Sequence, residues 1–139
     1  MPATFNKFNN FTYDLIDGIH DFNAHTFKVA LTDVAPVATN SQLSHITQTP
    51  NGNGYTTGGV PVTPTISTTG GVAKIEFTDA DFLASGGDFG DTVKYAVLYN
   101  DTSTNDKLIG WLEYPNPAFT LLEGETFKVK FNAAGAITI

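Results

Sequence analysis

Apolar positions crowd into residues 93–114, VKYAVLYNDTSTNDKLIGWLEY, with one polar interruption at 100–106. Val93, Tyr95, Val97 and Tyr99 share one side of an extended chain, and Lys94, Ala96 and Leu98 share the other. On the return, Leu108, Gly110, Leu112 and Tyr114 face one way and Ile109, Trp111 and Glu113 the other. Apolar residues on both sides of both segments predict two central strands covered on two faces. The interruption, NDTSTND, holds only turn formers and acids, so it is expected to be a loop in solvent.

A different period marks residues 5–22. Phe8, Phe11, Leu15, Ile19 and Phe22 recur every three or four positions and predict one helix with a Phe-rich face. Thr4 is placed to cap its start, and Asn23 to end it. Gly18 would weaken the last turn. So short a helix has to lay its apolar face on something, either a sheet of its own chain or a neighbouring subunit.

The rest alternates with period two between turn signals. Residues 26–32 predict a strand with Phe27, Val29 and Leu31 on one face, ended near Pro36. Residues 40–46 are expected to form a single helical turn. Residues 47–59, TQTPNGNGYTTGG, predict a long exposed loop of the kind that makes contacts. Pro61 and Pro64 make 60–69 an edge or bulged strand, and Gly70-Gly71 signals a two-residue hairpin into 72–78. Residues 79–91 are expected to be a connection pinned by Phe82, Leu83 and Phe89. Residues 126–131 alternate again, with Phe127, Val129 and Phe131 inward, and a last short strand is expected over 136–139. The fold class predicted is therefore all-β with one N-terminal helix, a jelly-roll-like or Greek-key β-sandwich of about seven to eight strands. The length of 139 residues fits one domain, with 1–23 as the helical segment and 24–139 as the sandwich body.

Composition agrees and narrows the partners. Thr is the most used residue, and eleven Phe and five Tyr favour strands. All seven basic residues are Lys, against fourteen acids, for a net charge of −7. Without a basic cluster there is nothing to engage phosphates, so neither nucleic acid nor an anionic membrane surface is an expected partner. No cysteine is present, which removes disulfides and thiolate chemistry. The N-terminal residues lack the basic and apolar runs of a secretory signal, and no apolar run approaches a membrane span. Synthesis in a cytoplasm without export is the expectation.

Candidate chemistry is sparse. His20 and His25 are five apart, outside the i, i+4 spacing that sets two ligands on one helix face, so a zinc site is not indicated. Asp79, Asp81, Asp88 and Asp91 form the densest acid group; they fit a weak calcium loop or, more plainly, turn chemistry. Ser85 lacks the strained elbow of a hydrolase nucleophile, and the glycines of 51–59 lack the lysine of a phosphate loop. Glu113, Glu123 and Glu125 sit beside turns or on strands. Trp111 with Tyr114 could form a sugar-stacking platform, although core packing is the plainer reading. No catalytic, cofactor or metal site is expected.

Several segments in order carry a resemblance: NKFNNF, HTFKVALTDVAP, NGNGYTTGG, ASGGDFGDTVKYAVLYNDTS, LIGWLEY and LLEGETFKVKFNAAG. In this order and spacing the whole chain resembles small β-rich structural proteins of tailed bacteriophages and prophages, most specifically over 84–114. The resemblance implies a non-enzymatic virion component, above all a capsid decoration (cement) protein. Such a protein would bind the major capsid protein on the capsid exterior as a homotrimer, after synthesis in the host bacterial cytoplasm. Capsid contacts would then fall to Phe5, Phe8, Phe11, Asn51, Asn53 and Tyr55, and subunit contacts to Tyr99, Trp111 and Tyr114. A tail or tail-tip role and a carbohydrate-binding β-sandwich are the alternatives.

Overall fold

A computed structural model describes residues 4–115, 117–131 and 137–138. Its elements are β1 (Thr4–Lys7), α1 (Asn9–Ile16), β2 (Phe27–Thr32), a 3-10 turn (Leu43–His45), β3 (Val60–Val62), β4 (Pro64–Thr69), β5 (Val72–Phe77), β6 (Ala80–Leu83), β7 (Tyr95–Asn100), β8 (Leu108–Glu113), β9 (Thr126–Val129) and β10 (Ile137–Thr138). The fold is all-β with one helix, and every strand pairing is antiparallel. The strands form a five-stranded sheet in the order β1-β8-β7-β2-β3, a three-stranded sheet β10-β5-β4 and a pair β6-β9.

The two-sided apolar pattern of 93–114 lands at the centre of the five-stranded sheet. All six residues of β7 are buried, and β8 and β2 flank it. Ala96 and Leu98 join Val29, Leu31, Ile109 and Leu112 in the main core. That core also takes Ile75, Phe77 and Ile137 from the three-stranded sheet, and Ala80, Phe82 and Val129 from the β6-β9 pair. Val97 and Tyr99 point to the opposite face, into a smaller cluster with Phe8, Ala30, Ile46 and Leu108. Leu43 and Trp111 pack on that second cluster. Burial on both faces is what removes the polar half of the strand pattern.

The N-terminal helix is shorter than expected. Residues 4–7 are a strand at the sheet edge, Phe5 opposite Leu112, and only Asn9–Ile16 is α-helical. Phe8, not Thr4, holds the N-cap position, and its side chain makes no capping bond. The helix ends in a Schellman arrangement: Ile19 N–H donates to the Asp14 carbonyl and Gly18 N–H to that of Leu15. Gly18, at φ +79°, supplies the left-handed residue that this ending requires. The apolar period persists beyond the helix all the same. Phe8, Phe11 and Phe22 are buried, with Phe22 stacked on Phe27 at 4.8 Å.

Two further differences come from local chemistry. The proline-flagged stretch 60–69 is two strands, β3 and β4, at the edges of different sheets. Pro61 and Pro64 lack the N–H for a central ladder, and the chain changes sheets between them at Thr63. The expected connection 79–91 begins with β6, in which Ala80 and Phe82 are buried while Asp81 and Leu83 are exposed. The Gly70-Gly71 hairpin forms as expected, with Thr69 opposite Val72. Ten strands stand among the described residues, against the expected seven or eight. The turn at 133–135, the strand ends at Ala136 and Ile139, and Asn116 lie outside the described residues.

Candidate contact surface

Most aromatic residues expected to make contacts face inward. Phe8, Phe11, Tyr55 and Tyr99 are buried, so their rings are unavailable to a partner. Phe8 packs against Trp111, ring centroids 4.6 Å apart. The Tyr99 hydroxyl donates to the Gly58 carbonyl, and burial raises the phenol well above its ordinary range. Trp111 is half-buried over the second core cluster, and Tyr114 is half-buried with its ring edge-on to Phe127 at 5.2 Å. Burial raises the Tyr114 phenol to about 12, and its hydroxyl is enclosed without a hydrogen-bond partner. Phe5 is half-buried, lying across Gly110 on the neighbouring strand, where a larger residue would displace it.

The Gly-rich loop is tied down rather than free. Gly52 and Tyr55 exchange backbone bonds at 2.8 and 3.0 Å around Asn53, which has positive φ. Asn53 accepts from Ser85 N–H at 3.0 Å through its carbonyl, and its side-chain amide donates to the Asp88 carbonyl at 2.8 Å. Tyr55 anchors the loop. Its ring stacks near Phe82 at 5.9 Å, and its hydroxyl accepts from Leu31 N–H while donating to Gln48 Oε1. Burial lifts that phenol to about 12. Asn51 and Asn53 alone among the predicted capsid-contact residues are fully on the surface.

What α1 offers outward is Tyr13, 66% exposed, and Ile16, 83% exposed. They lie three apart, hence on one side of the helix. The helix start is fastened to the next segment by Asn9 N–H donating to the Ala38 carbonyl at 2.8 Å, and Val34 and Val37 in that segment are exposed too. The signal for Tyr13 and Ile16 was present in the sequence. Both are apolar, and both fall outside the Phe8, Phe11, Leu15 period that defines the inner face.

Beside the second cluster, an open cleft of about 400 Å³ is lined by Leu43, Ser44, Ile46, Gln48, Asn105 and Asp106. Asn105 and Asp106 both have positive φ, and the Asp106 carbonyl accepts from Leu43 N–H at 3.0 Å. Desolvation, with the Asp101 carboxylate adding to it, raises the Asp106 carboxyl. Its polar rim is already engaged: Gln48 Oε1 accepts from Tyr55 and Gly58, and the Ser44 hydroxyl accepts from Gln42.

The histidines form a structural network with Asn100. The Asn100 amide nitrogen is 3.1 Å from His20 Nδ1 and 2.9 Å from His25 Nδ1. His25 Nδ1 also accepts from Asp21 N–H, and burial lowers the His20 imidazole to about 4, against a partial opposing effect from Asp14. Among the described residues no three His, Asp or Glu side chains converge as metal ligands, and no hydroxyl is hydrogen-bonded to a histidine. Within the acid group, Asp81 pairs with Lys128 at 2.8 Å, while Asp88 accepts from Glu123 N–H and Asp91 from Thr92 N–H. These carboxylates serve strand pairing and turns. Among the described residues no helix is long and apolar enough to cross a membrane. Neither protein-family models nor curated proteins nor solved structures yield a match to the chain.

Proposed function

We propose that this protein is a structural component of a tailed-phage virion that decorates the outer surface of the head. It binds the major capsid protein and stabilises the shell through contacts between subunits, with no covalent chemistry. The virion assignment rests on the resemblance carried by residues 84–114 and the flanking segments. The observation that supports the mode of action is the outward Tyr13–Ile16 pair on α1. Two large apolar side chains held in water by a short, well-anchored helix lose that exposure on docking, which is the usual driving force at an interface core. An acidic, arginine-free surface suits the outside of a shell rather than contact with packaged DNA.

A particle reconstruction tests this. Density fitting this fold on the outer head surface, with α1 against the capsid, is the expected result. Density or gold label confined to the tail would move the protein to the tail, and absence from particles would overturn the reading. A glycan array that binds the protein, with binding lost on Trp111→Ala, would replace it with carbohydrate recognition.

A further inference from the structure

The edge strand β4 departs from the rule by which sheet edges are protected. Protected edges are short, charged, bulged or interrupted by proline. Among the other edges, β3 has three residues with Pro61 at its centre, β1 carries Lys7, and β9 carries Lys128. In contrast, β4 (PTISTT) is six residues long, uncharged, and paired with β5 in unbroken register, with its proline only at the first position. Five of its residues are exposed and the first is half-buried, and among the described residues no strand pairs with its outer edge.

The direction of its main chain follows from the observed bonds. Thr78 N–H donates to the Thr63 carbonyl, and Thr69 stands opposite Val72 across the Gly70-Gly71 turn. Thr63, Ser67 and Thr69 therefore turn their main chain toward β5, as every second residue of an antiparallel strand does. Pro64, Ile66 and Thr68 turn theirs outward. Ile66 also stands opposite buried Ile75, on the inner face, yet is itself 41% exposed.

We propose that β4 is the site at which a second copy of this chain binds, by antiparallel pairing of β4 with β4 about a two-fold axis at Ile66. The edge is complementary to itself. Ile66 N–H and C=O meet the C=O and N–H of the second Ile66, and Thr68 N–H meets the second Pro64 carbonyl. Proline's missing N–H leaves the opposing Thr68 carbonyl to water at each rim of the pair, so the Pro64 position contributes only as an acceptor. The two exposed Ile66 side chains come together on the inner face and cover each other. In a chain of net charge −7, this uncharged edge is also where two copies can approach with little repulsion. Two-fold pairing builds even-numbered assemblies, not the trimer implied by the resemblance, and it does not depend on the particle assignment.

The test uses the full chain, which has no cysteine, so one introduced thiol is unambiguous. Directly opposed residues in such a pair lie about 5.5 Å apart at Cα, within disulfide range. The wild-type protein is expected to sediment at twice its 14.9 kDa chain mass, more completely at higher salt. Ile66→Cys is expected to give a covalent dimer on mild oxidation, whereas Val72→Cys, off the edge, stays uncoupled. Thr68→Lys, which leaves the β5 pairing intact, is expected to return the protein to a folded monomer. A wild-type monomer, an oligomer that Thr68→Lys leaves whole, or no Ile66→Cys cross-link would overturn the proposal.

Discussion

The side-chain amide nitrogen of Asn100 lies 2.9 Å from Nδ1 of His25, joining the end of β7 to the segment that precedes β2. Asn100 is fully buried, and its side-chain carbonyl accepts from Thr102 and Ser103 N–H, closing the loop that follows. Replacing it by Ala would strand several of these groups at once. Asn100→Ala is expected to lower unfolding free energy by about 2–3 kcal/mol in denaturant titration. An unchanged midpoint would show that water replaces the amide.

His20, on the other side of the same amide, sets a pH dependence. Its folded value is about 4 against 6.5, lowered chiefly by burial, opposed by Asp14, and lowered further by His25 and Lys107. Above pH 6.5 the imidazole is neutral in both states and contributes no slope. Between 6.5 and about 4 the unfolded chain gains a proton that the folded chain does not, so stability falls with acidification. The slope from this group is up to about 1.4 kcal/mol per pH unit, and it vanishes below the folded value. His20→Gln is expected to flatten the fall in melting temperature across that window. Equal slopes in both proteins would refute the assignment.

The central sheet was legible in the sequence because burial on both faces leaves a two-sided apolar pattern, which few surface elements share. The hairpin at Gly70-Gly71 was legible for a different reason, since that turn needs positive φ at both positions. β1 was not legible. Phe5 and Phe8 lie three apart, which fits a helix face, yet pairing with β8 across Gly110 takes Phe5 into a strand. β6 hid because Asp79 and Asp81 resemble turn chemistry, whereas Asp81 is an outward strand residue paired with Lys128. Phe8 and Tyr55, two of the expected contact residues, face inward for one shared reason. Aromatics in a loop or on a helix look available, but Tyr55 and Phe8 are the groups that fasten those segments to the core.

The Gly-rich loop tests the difference between flexibility and close packing. Gly59 has φ +81°, and a Cβ there would fall on the Val29 carbonyl, inside van der Waals contact with backbone that cannot yield. Gly59→Ala is expected to cost about 3 kcal/mol or more, measured by thermal and chemical denaturation, because left-handed strain and the clash add. A near-neutral result would mean that the loop leaves β2.

Tyr55 offers a test of the anchor without changing its packing. Tyr55→Phe keeps the ring against Phe82 but leaves Leu31 N–H without its acceptor and takes from Gln48 Oε1 one of its two donors, the other being Gly58 N–H. The expected cost is about 1–3 kcal/mol, with amide exchange quickened at Leu31. Unaltered exchange there would place the burden on the ring alone.

Tyr13 and Ile16 separate function from folding. Both project from α1 into solvent, so Tyr13→Ser with Ile16→Ser is expected to change stability by no more than about 0.5 kcal/mol per site. Trp111→Ala removes the ring that packs on Phe8 and should cost about 2–3 kcal/mol, less than a fully buried Trp because it is half-exposed. If α1 is the docking face, the double serine variant co-sediments poorly with particles while melting normally. Trp111→Ala, assayed below its lowered melting temperature, still binds. Full occupancy by the serine variant would reject α1 as the docking face, and loss of binding by folded Trp111→Ala would shift the interface to the second face of the five-stranded sheet.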